Sequence, residues 1–152
     1  MRKIVSILLC LIIVFCISAC ADKKEVDVQT LSSAEEVSEL LNVAFAVPAT
    51  AKYCVFTITD NIVGQAHFTF NGFVFDMYAS KLLSGTDLHQ NKADYSGAVS
   101  LDFDDRADIS INSYSDGSRV CEWTKDGTNY AVYCQKSAND DVFTELCDVI
   151  IK

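Results

Sequence analysis

Histidine and proline are scarce in this chain of 152 residues, which holds two histidines and one proline. With one proline and only six glycines, long disordered linkers are not expected. His67 and His89 are the only imidazole groups available as bases or ligands, and we expect them on different elements. A zinc site would therefore need acidic or thiolate partners, and no residue spacing in the chain supports such a set.

The motifs that accompany common enzyme chemistries are also missing. The sequence has no Gly-x-Ser-x-Gly, no His-Glu-x-x-His, no phosphate-binding loop and no Cys-x-x-Cys. The alternating acids between Leu101 and Asp108 do not have the spacing of an EF-hand loop. We therefore expect a protein that is not an enzyme, with no cofactor and no metal site.

The first twenty residues carry the clearest pattern in the sequence. A basic start, Met1-Arg2-Lys3, precedes an apolar run from Ile4 to Ile17 that only Ser6 interrupts. This order is typical of a secretory signal. The run is shorter than the ~20 apolar residues that a resident transmembrane helix needs.

The end of this leader, Ile17-Ser18-Ala19-Cys20, resembles the lipobox of bacterial lipoproteins. The resemblance implies that the leader is cut before Cys20, whose thiol then carries a diacylglyceryl group. The two acyl chains of that group supply the double signal that stable membrane anchoring requires. We predict a signal peptide over 1–19, a lipidated tether over 20–30, and attachment to the outer face of the cell membrane. The alternatives are an ordinary cleaved signal with a chance cysteine and an uncleaved anchor.

Removal of the leader makes an acidic chain more acidic. The full chain has a formal net charge of −9. Loss of Arg2 and Lys3 leaves ten basic against 21 acidic side chains, a net charge of −11. Such a protein repels nucleic acid, which is therefore not an expected partner.

Residues 31–152 are predicted to form one domain, in which a hairpin gives the strongest local signal. Asn71-Gly72 suits a type I′ turn, whose two central residues need positive φ. A two-residue turn there places Phe68 opposite Phe75 on one face. It places His67 opposite Asp76 on the other face, and we interpret these two residues as a surface pair rather than half of a catalytic triad.

Helices are predicted at both ends of the domain. Ser32 or Ser33 begins the first with a capping box, and Asn139-Asp140 caps a last helix. Between them we predict an antiparallel sheet of about six or seven strands with both helices on one face, an α+β fold. The stretch over 80–96 is predicted to be a long surface loop, with a short helix inside it as the alternative, and it is a candidate recognition surface. An aromatic strand face is predicted to be core, although a strongly curved sheet would let part of it line a groove (Phe56, Phe68, Phe70, Phe73, Phe75 and Trp123).

Four cysteines remain after the leader and Cys20 are set aside. An even number in an exported domain suggests two disulfides. A second hairpin around Asp126-Gly127 would set Cys121 diagonally from Cys134, at a borderline distance for a bond. If those two bond, Cys54 is left for Cys147. The alternative is four buried free thiols.

The order of elements resembles a family of uncharacterised extracytoplasmic domains of Firmicutes lipoproteins and membrane proteins. The likeness rests on four short segments, and the four cysteines depart from the family pattern (Val47-Pro48, residues 62–66, residues 94–97 and residues 122–130). The family is a domain of unknown function, some of its members resemble anti-sigma regulators, and it implies no catalytic residues.

Two functions are compatible with these expectations. The first is a lipid-anchored, non-catalytic binding or sensing module that takes a small molecule or peptide. The second is a structural or inhibitory envelope lipoprotein that acts by contact with another protein. The membrane, reached through the lipid anchor, is an expected partner in both cases.

Overall fold

A single antiparallel sheet organises the computed structural model, which describes residues 26–100, 109–136 and 138–151. The described residues form an α+β fold of eight strands and three helices. In chain order these are β1 (Val28–Leu31), α1 (Ala34–Leu41), β2 (Lys52–Thr59), β3 (Val63–Phe70), β4 (Phe73–Ser80), α2 (Gly85–His89), β5 (Tyr95–Ser100), β6 (Ser110–Tyr114), β7 (Arg119–Lys125), β8 (Thr128–Cys134) and α3 (Asp140–Ile151).

The strand order across the sheet is β1-β2-β3-β4-β8-β7-β6-β5. Strands β1 to β4 lie beside their neighbours in sequence, and so do β5 to β8. The two sets meet where β4 pairs with β8, for example through Met77 opposite Val132. The order leaves β1 at one edge of the sheet and β5 at the other.

The predicted hairpin registers are the ones in the structure. Asn71 and Gly72 have φ of 48° and 85°, as the type I′ turn requires, and Phe68 lies opposite Phe75. The second turn is of the same kind, because Asp126 and Gly127 also have positive φ. Trp123 lies opposite Tyr130 there, and the two rings stack with their centroids 5.0 Å apart.

Alternation along the strands divides the sheet into two faces. The core face carries Phe68 and Phe75 and is covered by α1 and α3. Phe143 of α3, for example, meets the Phe75 ring edge-on at 5.6 Å. The predicted aromatic face is therefore part of the core. Most of the buried apolar side chains lie on this side of the sheet, and they include Val37, Phe45, Phe56, Ile58, Ala66, Phe68, Phe70, Phe75, Met77, Cys121, Trp123, Tyr130, Val132, Phe143, Leu146 and Cys147.

Helix α1 begins with the predicted capping pattern and lies very close to the sheet. The Ser33 hydroxyl accepts from the Glu36 N–H at 3.4 Å, and the Glu36 carboxylate accepts from the Ser32 N–H at 2.9 Å. A Cβ added to Gly64 would lie 2.5 Å from Cγ1 of Val37. Only glycine therefore lets the helix pack this closely on β3.

Helix α3 begins at the predicted cap and covers Asp140–Ile151, one residue more at each end than the 141–150 that helical spacing predicts. The Asn139 side-chain oxygen accepts from the Val142 N–H at 3.0 Å. Phe143, Leu146 and Cys147 lie at helical spacing and are buried against the sheet. The N-terminal and C-terminal helices therefore contribute to one core on one face.

The eighth strand, β1, corrects the predicted count of six or seven. It includes residues 28–30, which the sequence places in the tether. An edge strand of four mostly exposed residues has little apolar alternation to reveal it. Pro48 predicts that Val43 to Val47 already leave the first helix, and α1 does end before them, where Asn42 adopts the left-handed conformation that closes it.

Candidate functional site

The second face of the sheet, which carries His67 and Asp76, is polar where the core face is aromatic. Nδ1 of His67 lies 2.8 Å from Oδ1 of Asp76, and the His67 side chain is 51% exposed. The side-chain amide of Gln65 donates to the same Asp76 oxygen at 3.2 Å. His67 and Asp76 thus lie where the sequence predicts, as part of a small hydrogen-bonded group on the sheet surface.

Tyr78 continues this group along β4. Its hydroxyl lies 3.5 Å from the donating amide nitrogen of Gln65. Burial, and then the negative charge of Asp76, raise the pKa of Tyr78 to about 12. The hydroxyl is therefore protonated at neutral pH, and it accepts the hydrogen bond from the Gln65 amide.

Helix α2 lies above this part of the second face. It falls inside the stretch over 80–96, where the sequence predicts a long loop with a short helix as the alternative. The Ser84 hydroxyl accepts from the Asp87 N–H at 3.2 Å and donates to the Asp87 carboxylate at 2.6 Å. The Ser80 hydroxyl accepts from the Leu83 N–H, and the Asn129 side chain donates to the Leu83 carbonyl at 2.8 Å. These bonds hold in place the chain that leads into the short helix and the first turn of the helix.

His89 fastens the end of α2 to the sheet. Its side chain is 1% exposed, and its Nδ1 accepts from the Asn91 N–H at 3.0 Å. The proton of the neutral ring is therefore on Nε2, which donates to Oε1 of Glu122 at 2.8 Å. The packing is tight at the start of the helix as well, since a Cβ on Gly85 would lie 3.0 Å from the Glu122 carboxyl carbon.

A cleft of about 240 Å³ lies between α2 and the second face. Its apolar wall comes from Val63, Leu83 and Leu88, while polar side chains complete the lining (Thr59, Gln65, Tyr78, Asp87, His89 and Gln90). None of the lining residues is a lysine or arginine, and His89 is committed to Glu122. The cleft therefore offers donors, acceptors and a carboxylate without a balancing cation.

A second, more apolar groove of about 250 Å³ lies on the other side of the turn between β2 and β3. Leu40 and Leu82 are 60% and 72% exposed at this groove, which Leu41, Val43, Asn61, Ile62 and Lys81 also line. The helical spacing of Val37, Leu40 and Leu41 in the sequence predicts that Leu40 belongs to the buried stripe of α1. It is exposed because the helix buries Ala34 and Val37 instead.

The four cysteines Cys54, Cys121, Cys134 and Cys147 are free thiols in the structure. The predicted bonds, Cys121 to Cys134 and Cys54 to Cys147, are therefore absent. The Cys134 thiol donates to the Lys136 carbonyl instead, at 2.7 Å. Cys147 lies in contact with Cys121 because α3 packs across β7, an arrangement that local sequence patterns do not specify.

The predicted leader, Cys20 and most of the predicted tether lie outside the described residues, as do the acids of 101–108. None of the helices in the described ranges is long and apolar enough to cross a membrane. Within those ranges, no group of three or more His, Cys, Asp or Glu side chains is arranged to hold a metal ion.

Comparison of the chain with known protein families, curated proteins and solved structures found no match. The resemblances to the lipobox and to the Firmicutes domain family therefore stay predictions that rest on the quoted residues.

The hydrogen bond between His89 and Glu122 is the feature of the candidate site that is hardest to predict from the sequence. The two residues are 33 positions apart and come together only because β4 pairs with β8. The one available signal is the Ser84-x-x-Asp87 capping pattern, which indicates a helix inside the loop.

Proposed function

We propose that this protein is a lipid-anchored, extracytoplasmic binding module without catalytic activity, and that its ligand binds in the cleft beneath α2. The cleft is the observation that carries the proposal, since it joins an apolar wall to converging polar groups, as small-molecule sites do. Its volume of about 240 Å³ lies below the ~300 Å³ at which drug-sized sites begin. The ligand is therefore a single small group, such as an amino acid or one side chain of a peptide.

The charges at the cleft favour an amine as that group. Asp87 lines the cleft, and Asp76 lies next to Tyr78 on the adjoining surface. No lysine or arginine in the lining balances Asp87, so the local potential attracts an ammonium group and repels an anion. The Tyr78 hydroxyl and the Gln65 amide would accept or donate the remaining hydrogen bonds.

The place where the N-terminal part of the chain joins the domain fits an anchored module. The Asp27 N–H donates to the Asp60 carboxylate at 3.0 Å, and the Asp60 N–H donates to the Asp27 carbonyl at 2.7 Å. This pairing holds the chain next to the turn between β2 and β3, close to Thr59 and Val63 of the cleft. Cys20 precedes Val26 by six residues, which span at most ~20 Å when extended. A lipid on Cys20 would thus keep the cleft near the membrane surface.

The first experiment asks whether the full chain is lipidated. Cells that express it are labelled with radioactive palmitate, and Cys20→Ala is the matched variant. We expect label on the wild-type chain and none on the variant. Label on both chains, or on neither, would contradict the anchored part of the proposal without affecting the cleft.

The second experiment tests the cleft with lysine as the probe. The full chain in detergent should gain thermal stability with increasing lysine, as mass action requires for a ligand that binds the folded state. Tyr78→Phe should reduce the shift because it removes a hydroxyl from the cleft. Tyr133→Phe, on the same face but outside the cleft lining, should leave it unchanged. Equal shifts in all three proteins would contradict an amine site. The absence of any shift at roughly 10 mM lysine, which would mostly fill a site with a millimolar Kd, would contradict it as well.

The apolar groove supports a second candidate function, an envelope protein that acts through protein contact. Exposed Leu40 and Leu82 are typical of a surface that another protein covers. Cross-linking of the lipidated chain in its own membrane, followed by mass spectrometry, separates the two functions. One dominant partner that is lost in Leu82→Asp but kept in Val74→Asp, which changes an exposed valine elsewhere, would favour this function.

A further inference from the structure

Two of the four free thiols lie against each other inside the core. Cys121 is on β7 and Cys147 is on α3, and the side chains of both are completely buried. Both belong to the same core cluster, and the Cys121 thiol is close enough to Cys147 to raise the pKa of the Cys147 thiol. The contact therefore joins the sheet to the last helix, between residues that are 26 positions apart.

Contacts on either side fix the alignment of α3 along β7. At one end Nη1 of Arg119 lies 2.6 Å from Oδ1 of Asp140 and 2.9 Å from the Ala138 carbonyl. At the other end Nζ of Lys125 lies 3.4 Å from the Ile151 carbonyl. Each end of the helix is thus tied to one end of the strand.

The same end contacts position the two thiols. Cys121 and Cys147 lie between the contacts of Arg119 and Lys125, on the sides of strand and helix that face each other. A slip of α3 along β7 would break the contacts at both ends, so the thiols are held in place rather than adjacent by chance.

We propose that Cys121 and Cys147 form a disulfide in the exported protein, with a disulfide of a thiol oxidant as the electron acceptor. One cysteine thiolate attacks the oxidant disulfide, which forms a mixed disulfide and releases one oxidant thiol. The second cysteine thiolate attacks the mixed disulfide, which forms the Cys121–Cys147 bond and releases the other thiol. Two protons leave the cysteines and two electrons pass to the oxidant, which ends as two thiols.

The other two cysteines are placed differently. Cys134 donates its proton to the Lys136 carbonyl, and the strand register sets it opposite Arg119 rather than Cys121. Cys54 is half-buried on β2, in the other half of the sheet. Among the described residues, neither has a second cysteine in contact, so we expect both to stay reduced and to serve as matched controls.

Burial of the two thiols determines whether the disulfide forms during folding or afterwards. It raises the pKa of the Cys147 thiol well above its usual value, and the contact with Cys121 raises it further. Because the thiolate is the attacking species, the folded reduced protein should react slowly with an oxidant. The bond should instead form as the chain folds, before α3 closes over β7.

The test is peptide mapping of the full chain after refolding from denaturant with oxidised glutathione. Free thiols are alkylated before digestion, without reductant. We expect one linked pair of peptides that contains Cys121 and Cys147, with Cys54 and Cys134 alkylated. The same treatment of the reduced protein after folding should give the linked pair at least tenfold more slowly. Absence of the pair after oxidative refolding, or a different pairing, would overturn the proposal.

A stability measurement supports the mapping, and its main comparison, of linked with reduced wild-type protein, needs no variant. Reduction of the linked wild-type protein should lower the midpoint of thermal unfolding by roughly 10 °C, because the bond restricts the unfolded chain. Cys134→Ala should show the same decrease on reduction. Cys121→Ala with Cys147→Ala should show none. A wild-type midpoint that does not respond to reduction would contradict a bond that staples α3 to the sheet.

Discussion

The two faces of one sheet differ in almost every property, although the same strands supply both. On β3, for example, Ala66 and Phe68 are buried beneath helices while His67 between them is exposed. The core face is closed by α1 and α3. The second face is covered only in part, by the five residues of α2 and the chain around it. The difference separates the residues that stabilise the fold from those that are free to bind a ligand.

Phe75→Ala should give the largest effect and should show how strongly the core face dominates stability. Phe75 is completely buried between Phe68 and Phe143. Its truncation should lower the free energy of unfolding by about 3–5 kcal/mol, from lost burial and the remaining cavity. Val74→Ala changes the neighbouring residue on the second face, where the side chain is 49% exposed, and should cost less than about 1 kcal/mol. Urea unfolding measures both values, and similar losses would refute the contrast between the faces.

Gly64→Ala should have an intermediate effect, since it adds one methyl group to the core face. The new Cβ would lie 2.5 Å from Cγ1 of Val37, so α1 must shift. We expect a loss of about 1–3 kcal/mol in the free energy of unfolding. Val37→Ala removes the clashing atom, so the double variant should be more stable than the sum of the two single losses predicts. Additive losses in this cycle would indicate that the helix does not depend on the glycine.

The smallest effect concerns the second face and appears only at high pH. The pKa of Tyr78 in the folded state is raised to about 12, above the ordinary value of 10 that applies when the chain unfolds. The contribution of the neutral Tyr78 is therefore complete below pH 10 and is lost as the pH rises from 10 toward 12. The midpoint of thermal unfolding should decrease less between pH 9.5 and 11.5 in Tyr78→Phe than in the wild type. An equal decrease in both would contradict the buried, neutral hydroxyl.

Short-range features of this fold were predictable because their causes are local. The requirement for positive φ at Asn71 and Gly72 fixes the register of β3 and β4, and with it the two faces. Helical spacing likewise predicts that Phe143 and Leu146 face the core. In both cases a few neighbouring residues determine the outcome.

Features that depend on the order of strands were not predictable in this way. The pairing of β4 with β8 brings α2 over the second face and creates the cleft, but no local pattern specifies that pairing. The contact of Cys121 with Cys147 has the same origin, since it depends on how α3 lies across the sheet. Strand β1 was not predicted for another reason. Its residues are mostly exposed, so the sequence lacks the alternation of apolar and polar residues that indicates a strand with one buried side.

The pairing of β4 with β8 also bears on how fast the protein folds. Asp76 lies opposite Tyr133, 57 positions along the chain, whereas each neighbouring hairpin pairs residues that are close in sequence. The entropy of closing such a long loop is lost before its contacts are gained, and folding slows as the sequence separation of contacts grows. The two four-stranded halves should therefore form early and join late, so that the junction that creates the cleft is the last part of the sheet to assemble.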